Sequence, residues 1–269
     1  MTPGLYQSIP RGEYESLRDA ANYSTLKLFE RSASHAKDVL DHPKPPSDAM
    51  EVGQALHLAV LEPERFQGEV ARLPKMDRRT KEGKAAWADF EANHKGCIIL
   101  DGDDYERVLG MQAAIRAHPE ASLLFAPGGM NEATAIWQDA ETGLTCKARL
   151  DKLTTFYGQS AIPDLKSTPD ARWKSFRWKV KDYAYHAQMA FYLDGLATLA
   201  PRDRFPIWVA VESERPYGVI CHQPGEGILA EGRQLYRRWL VEYAECKKSG
   251  VWPCYASGIE VVEFGGHAA

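Results

Sequence analysis

The chain has 269 residues, 44% hydrophobic and 26% charged, with a formal net charge of −4 at pH 7. This composition is ordinary for a globular protein, and the length suits one large domain or two small ones. The acidic balance excludes nucleic-acid binding through a global positive field, so any such surface must be local.

Cysteine usage and hydropathy bear on the metal class and the compartment. The five cysteines are scattered and include no C-x2-C pair, so a zinc or iron–sulfur site is not expected. Their odd number favours free thiols in a reducing cytoplasm. We find neither a signal peptide nor an apolar run of about 18 residues. We therefore expect a cytoplasmic protein that does not associate with membranes.

The first part of the chain, residues 1–125, is predicted to be mainly helical. Capping residues, apolar periodicity and prolines set the boundaries. The predicted elements are a helix from Ser24 to about Asp41, helices over Asp48–Leu61 (stopped by Pro63), Lys81–Asn93 and Asp103–Ala117, and a short strand over Cys97–Leu100.

The predicted helix Asp48–Leu61 carries a glycine and a histidine one turn apart, Gly53 and His57. A glycine inside a helix costs about 1 kcal/mol relative to alanine, so this one suggests close approach of another backbone or of a ligand. A lone helical histidine is usually a surface or packed residue. Taken alone, His57 therefore does not indicate a site.

The segment Arg72–Lys84 is a strongly basic loop. It has six basic residues, among them Arg78 and Arg79, against two acids. Two interpretations fit equally well. The loop is either solvated surface or a contact to the phosphates of a nucleic acid.

The second part, residues 126–269, is predicted to contain the sheet. The predicted strands are Asn131–Gln138, Gly143–Asp151, Ala161–Ser167, Ile207–Glu212 and Tyr217–His222. A helical stretch is predicted to begin with Thr168 as N-cap and Pro169 as its first residue, to break near Lys181 and to continue to about Leu199. A long helix is predicted over Gly227–Lys248, ended by Gly250.

A second basic segment, Lys166–Lys181, carries six basic residues and one acid. Lys174 and Arg177 are candidates for DNA contacts. The aromatic residues between the basic ones are Trp173, Phe176 and Trp178. For these, core packing is favoured over base stacking.

Three acids fall on three successive predicted strands: Glu132, Asp151 and Asp164. A strand places Asp164 and Lys166, two residues apart, on one face. Carboxylates with several waters suit Mg²⁺, and surroundings without cysteine favour Mg²⁺ or Mn²⁺ over zinc. The carbonyl of Leu165 could add a backbone ligand. Alone, a D-x-K tripeptide is weak evidence, because such a pair is usually a surface salt bridge.

The order of the motifs resembles the RecB-type branch of the PD-(D/E)xK nucleases. Within that branch, it is most similar to the RecE-type (exonuclease VIII) nuclease domain. The matching stretches are GLYQSIPRGEY, VGQALHLAVLEPERF, RRTKEGK, NEATAIW, DAETGLTCKARLDKL, PDLKST and YHAQMAFYLDG.

The resemblance implies an α/β fold with a restriction-endonuclease-like core, a mixed central sheet flanked by helices and a helical N-terminal part in a single nuclease domain. It also implies roles for seven residues. His57 lies near the metals, Glu132 binds metal or positions helix-borne groups, Asp151 and Asp164 are the principal metal ligands, Lys166 is catalytic, and Gln188 and Tyr192 contact DNA and shape the wall of the site.

The implied activity is Mg²⁺-dependent 5′→3′ degradation of linear double-stranded DNA, with Mn²⁺ as a substitute. The product is a 3′ overhang for a RecT-like annealing protein. A homo-oligomeric ring, a tetramer in RecE-type nucleases, is also implied, in a bacterial or phage-encoded protein. Three alternatives stay open: a catalytically silent DNA-end-binding subunit, an unrelated metal-dependent hydrolase, and a nuclease of other polarity or single-strand preference.

Overall fold

A six-stranded sheet lies at the centre of the structure, a computed structural model that describes residues 1–7, 9–77, 79–255 and 257–259. The described strands are β1 (Gly4–Tyr6), β2 (Val70–Arg72), β3 (Ile98–Leu100), β4 (Met130–Gln138), β5 (Thr145–Phe156), β6 (Gln159–Thr168), β7 (Phe205–Glu212) and β8 (Val219–His222). Of these, β2 and β3 form a separate two-stranded parallel sheet. The helices are α1 (Arg11–Ser16), α2 (Tyr23–Lys27), α3 (Ala33–Asp41), α4 (Asp48–Leu61), α5 (Pro63–Glu69), α6 (Lys81–Asn93), α7 (Gly102–Ala117), α8 (Pro119–Leu124), α9 (Trp173–Asp182), α10 (Tyr185–Leu199) and α11 (Glu226–Ser249), with a 3₁₀ turn over Leu28–Glu30.

The sheet has the strand order β1-β4-β5-β6-β7-β8. Neighbouring strands are antiparallel except β6 and β7, which are parallel and are joined through α9 and α10. A parallel pair needs such a crossover connection. The expected mixed sheet flanked by helices is therefore confirmed. Within the described ranges, no helix is both long and apolar enough to cross a membrane.

Helices cover both faces of the sheet. Ile162 and Trp208 pack against the α9–α11 layer, whereas Leu165 and Val209 pack against α4 and α7. Successive side chains of a strand point to opposite faces, so these two cores lie on opposite sides. As a result, α4, which carries His57, and α10, which carries Gln188, approach β6 from different faces.

The predicted helix from Ser24 to Asp41 is wrong as one element. The chain forms α2, the 3₁₀ turn and α3 instead. The side chain of Asn22 caps α2 by accepting from the Thr25 N–H at 2.9 Å, and Ser32 caps α3 by accepting from the His35 N–H. Asn22, and not the predicted Ser24, therefore caps the start of this stretch, and the Ser32 cap divides it although its apolar periodicity is continuous.

Two prolines act differently from the prediction. Pro63 begins α5 as well as following α4, since proline suits the first turn of a helix. Thr168 and Pro169 do not begin a helix. Thr168 ends β6, where it pairs with Glu212, and α9 begins at Trp173. The bounds of α4 and α6 and the break near Lys181 are confirmed.

The packing of α11 on α10 depends on Gly232. A Cβ at this position would lie 2.3 Å from the carbonyl oxygen of His186. We therefore predict that Gly232→Ala lowers the free energy of unfolding by about 1–3 kcal/mol through overpacking. Thermal or urea denaturation measures this change.

Gly227 provides the matched control on the same helix, since a Cβ at this position would meet no atom within 4 Å. Gly227→Ala should leave the stability unchanged or raise it slightly. Equal effects of the two substitutions would contradict the close packing of α10 and α11.

Candidate active site

Three carboxylates occupy one row across β4, β5 and β6. The pairs on either side of Glu132 in the β4–β5 ladder place it opposite Asp151. The β5–β6 ladder extends from the turn as far as Thr154 and Ala161, and Asp151 and Asp164 lie beyond its end on these adjacent strands. Neighbouring strands lie about 4.8 Å apart, so a single ion can reach side chains from adjacent strands.

The ladder between β5 and β6 stops before it reaches the acids. In place of a backbone partner, the Leu165 N–H donates to Oδ2 of Asp151 at 2.6 Å. The N–H and the C=O of one residue in a β-strand point to the same edge of that strand. The Leu165 carbonyl therefore also faces the opening, which supports it as a backbone ligand.

Glu132 interrupts β4 with a left-handed backbone, φ 49°. Such a conformation is uncommon for residues other than glycine and is frequent where a side chain is redirected in a functional site. The Arg149 side chain anchors this glutamate. Its Nε donates to Oε2 of Glu132 at 2.7 Å, and its Nη2 donates to the Ile9 carbonyl at 2.9 Å.

His57 reaches the acids from α4. Its Nδ1 lies 3.4 Å from Oδ1 of Asp151. One ligand atom from each of His57, Glu132 and Asp151 lies within 4.8 Å of the others, the one such group within the described residues. A Cβ at Gly53, one turn earlier, would meet no atom within 4 Å. The expected approach of another backbone is therefore wrong, and Gly53 leaves open space beside His57.

Lys166 approaches the row from the other side. Its Nζ lies 2.7 Å from Oδ2 of Asp164 and donates to Oε1 of Gln188 at 3.0 Å. The Gln188 amide in turn donates to the hydroxyl of Tyr192 at 3.0 Å. Tyr192 is only 7% exposed. Gln188 and Tyr192 thus form a wall that holds the lysine, and their predicted contact with DNA stays a prediction.

The pKa values of the two aspartates, Asp151 and Asp164, are shifted in opposite directions. Burial, together with the charge of Asp151, raises the pKa of Asp164 to about 6, although Lys166 opposes the shift. Burial also acts to raise the pKa of Asp151, but the charges of His57 and Lys166 and the Leu165 N–H outweigh it and lower that pKa. Such divergent pairs are typical of functional sites.

The two basic groups of the site hold their protons. Burial alone lowers the pKa of His57, but the charge and hydrogen bond of Asp151 and the charge of Glu132 raise it to about 9. Burial likewise lowers the pKa of Lys166, but Asp164 and Asp151 reverse the shift and raise it. Lys166 is therefore an ammonium at neutral pH.

The donor set fits a divalent cation. Oδ2 of Asp164 is buried and contacts Lys166 as an ion pair, but it accepts no hydrogen bond of acceptable geometry. Withdrawing a carboxylate from water is costly unless it is paired, so a cation near the site would add to the stabilisation that Lys166 provides. The carboxylates of Glu132 and Asp151 are hard ligands, and His57 adds an imidazole. Asp164, predicted as a principal metal ligand, lies outside this group of three and is paired with Lys166.

The remaining predicted DNA contacts lie at the surface. Arg79 is exposed and pairs with Asp77, while Lys174 and Arg177 are exposed on α9. None of the three lines the cleft of about 470 Å³ around the acids. Arg78 lies outside the described residues.

The prediction of core packing for the aromatic residues of α9 holds only for Phe176, which is buried. Trp173 and Trp178 are exposed.

The residues of the cleft that the sequence did not reveal include Arg149 and Tyr14. Arg149 lies two residues before Asp151 on β5, so its position in the alternating pattern could have revealed it. Tyr14 lies on α1, where its ring stands 5.7 Å from the guanidinium of Arg149. That helix has six residues and no side-chain cap, so it leaves little signal in the sequence.

Comparison with known proteins places this geometry in a family. The model of the PDDEXK-like domain of unknown function, DUF3799, matches residues 22–264. The chain belongs to this family. PD-(D/E)xK nucleases are generally dependent on a divalent metal, in agreement with the donor set of the cleft.

Solved structures agree with the fold of this PDDEXK-like family. The crystal structure of a protein named "putative exonuclease" from Eubacterium rectale matches with a TM-score of 0.64 and 14% identity, over 91% of this chain and 88% of that one. A second match, to the structure of SSO0001, has a TM-score of 0.33 and 13% identity over 73% and 86% of the chains, too weak to support an argument. No match was found among curated proteins. Together, the family and the fold support a nuclease.

Cation binding should raise the stability of this PDDEXK-like domain. A ligand that binds the folded chain at about 100 times its Kd contributes roughly 2.7 kcal/mol. We expect Mn²⁺ or Mg²⁺ to raise the melting temperature of the wild type, and Asp151→Asn to remove most of that shift. Asparagine still accepts from the Leu165 N–H, and the exposed Asp203→Asn is the control. An unchanged shift in Asp151→Asn would exclude this cation site.

Cation affinity should depend on pH in two steps. His57 must lose a proton before it ligates, so affinity should rise about tenfold per pH unit up to its pKa of about 9. Below pH about 6, protonation of Asp164 also competes, so the dependence should steepen. Calorimetric titrations between pH 5 and 8 measure both steps. Asp164→Asn should abolish the steeper pH dependence of cation affinity below pH about 6. If the steeper dependence persists in this variant, the proton that competes there does not belong to Asp164.

Proposed function

We propose that this protein is a Mg²⁺-dependent exodeoxyribonuclease of the RecE type. Its substrate would be linear double-stranded DNA, degraded 5′→3′ to leave a 3′ overhang. The observation that carries the proposal is the buried Asp164–Lys166 pair beside the cluster of His57, Glu132 and Asp151. This arrangement combines a cation site with a fixed positive charge, the two requirements of phosphodiester hydrolysis.

The chain's own residues would prepare the site for the cation. Glu132, Asp151 and His57 would hold it together with Asp164 and the Leu165 carbonyl. When bound, a divalent cation supplies charge neutralisation at the phosphate and activation of water. Arg149 would keep the Glu132 side chain oriented into the cleft, because its guanidinium donates a hydrogen bond to Oε2 of Glu132.

Lys166 would act as a fixed charge. Since Asp164 and Asp151 raise its pKa, the side chain stays protonated and is unsuited to act as a general base. An ammonium facing the phosphate stabilises the negative charge that develops there. The bond to Gln188 would limit its motion, so that little reorganisation is needed during the reaction.

Other parts of the proposal come from the resemblance in sequence. Polarity, the use of duplex ends, a ring of subunits and a RecT-like annealing partner belong to this group. So do a single-domain organisation over the whole chain and a cytoplasmic location. The exposed Arg79, Lys174 and Arg177 would contact phosphates, which are bound largely by surface arginines and lysines.

End-labelled linear duplex in Mg²⁺ tests the proposal. We expect nucleotides to be released from the 5′ ends, and Asp164→Ala and Lys166→Ala to lower the rate by at least about a thousandfold while DNA is still bound. The exposed Asp203→Ala and Lys248→Ala are matched controls.

Different results would overturn different parts of the proposal. Release from the 3′ ends would overturn the polarity alone. Cleavage at the normal rate by either site variant would overturn the site. Binding without hydrolysis in Mg²⁺ or Mn²⁺ would leave the silent DNA-end-binding subunit.

A further inference from the structure

Two tyrosines lead from the active-site lysine to the surface. Nζ of Lys166 stands 4.5 Å from the ring centroid of Tyr185. The Tyr183 ring stacks on Tyr185, with centroids 5.6 Å apart and an angle of 15° between the planes. Tyr183 is 47% exposed. A nearly parallel aromatic pair therefore begins at Lys166 and ends at a ring that is open to solvent.

The backbone between the tyrosines is rigidly held. Ala184 is fully buried and left-handed, φ 50°, an uncommon conformation for alanine. The hydroxyl of Tyr23 donates to the carbonyls of Tyr183 and Ala184, the latter at 3.0 Å. Nζ of Lys27 donates to the Asp182 carbonyl at 2.9 Å. These bonds from α2 fix the α9–α10 turn, so the orientation of the two rings is set before any ligand binds.

The surroundings of the pair are cationic on one side. Nζ of Lys179 lies 5.3 Å from the Tyr183 ring centroid, on a helix that also carries exposed basic residues. Both tyrosines line a groove of about 730 Å³ that starts at the end of β6 and is bounded opposite by the first turn of α4. The opposite wall carries Asp48 and the ion pair that Asp104 forms with Arg107. Lys179 therefore makes the α9 side the more cationic one, and we expect an anionic backbone to lie along α9.

We propose that Tyr183 and Tyr185 form a stacking platform for unpaired nucleobases of the strand whose phosphate reaches Lys166. This rests on the proposed function, since it requires a nucleic-acid substrate, and it specifies the substrate as single-stranded at this point. Stacking on an aromatic ring needs the face of a base free, which pairing within a continuous duplex prevents. Every base has such a face, so the platform is tolerant of sequence.

The test separates bases from phosphates. Two fluorescent single strands of equal length are compared in EDTA, one with normal nucleotides and one with abasic residues throughout. Stacking contributes about 1–3 kcal/mol per base, so the wild type should bind the normal strand about tenfold more tightly or better. Tyr183→Leu should reduce this ratio by about fivefold or more, whereas Tyr183→Phe, which keeps the ring, should preserve it.

Tyr157→Leu is the control, because Tyr157 is 78% exposed at the β5–β6 turn, the end of the hairpin away from the acids. It should leave the ratio unchanged. A wild-type ratio near one would overturn the platform. So would an equal loss of affinity for both strands in a folded Tyr183→Leu, or a loss in Tyr183→Phe as large as in Tyr183→Leu.

Because the measurement needs no hydrolysis, it is independent of the enzymatic proposal. A protein that prefers the normal strand but does not cut DNA in Mg²⁺ or Mn²⁺ would keep the platform and lose the nuclease. A protein that cuts DNA with a ratio near one would keep the nuclease and lose the platform.

Discussion

The separation of β5 from β6 is the constraint on which the rest of the site depends. Where the backbone ladder ends, the Asp151 carboxylate accepts the Leu165 N–H that a neighbouring strand would otherwise satisfy. A buried N–H left without an acceptor is costly, so this bond allows the strands to part without that cost. Beside this opening, Glu132, Asp151 and Asp164 line the cleft. One side chain therefore serves both the fold and the cation site.

The site concentrates charge where the fold would be more stable without it. Asp164 and Lys166 are withdrawn from water, and a buried ion pair often contributes little or even destabilises relative to apolar residues. The raised pKa of Asp164 is a sign of that cost. A cation would add a second positive partner for the Asp164 carboxylate, whose Oδ2 already lies 2.7 Å from the Lys166 ammonium. The apolar cores on the two faces of the sheet provide the stability that offsets the cost of burying this ion pair.

Periodicity and turn chemistry predicted most of the framework. The strands β4 and β6, the bounds of α4 and α6 and the long last helix follow from alternation, caps and a terminal Gly250, all of which are local. The failures are also local. Ser32 provides a cap inside a continuous apolar pattern, and the short helix α1 has no side-chain cap that the sequence could reveal. Where two local rules compete, the tertiary packing decides.

The sequence by itself determined the chemistry of this protein. The three acids, the D-x-K pair and the motif order were enough to indicate a PD-(D/E)xK nuclease, because residue types and spacings along a strand are written in the chain. Only the tertiary structure decided which groups meet. It brought His57 to Asp151 across about 90 residues, engaged Glu132 with Arg149 and placed the Tyr185 ring beside Lys166. The physical reason is that contacts between distant segments depend on strand register, on the parting of two strands and on which face each helix covers, and none of these is a local property.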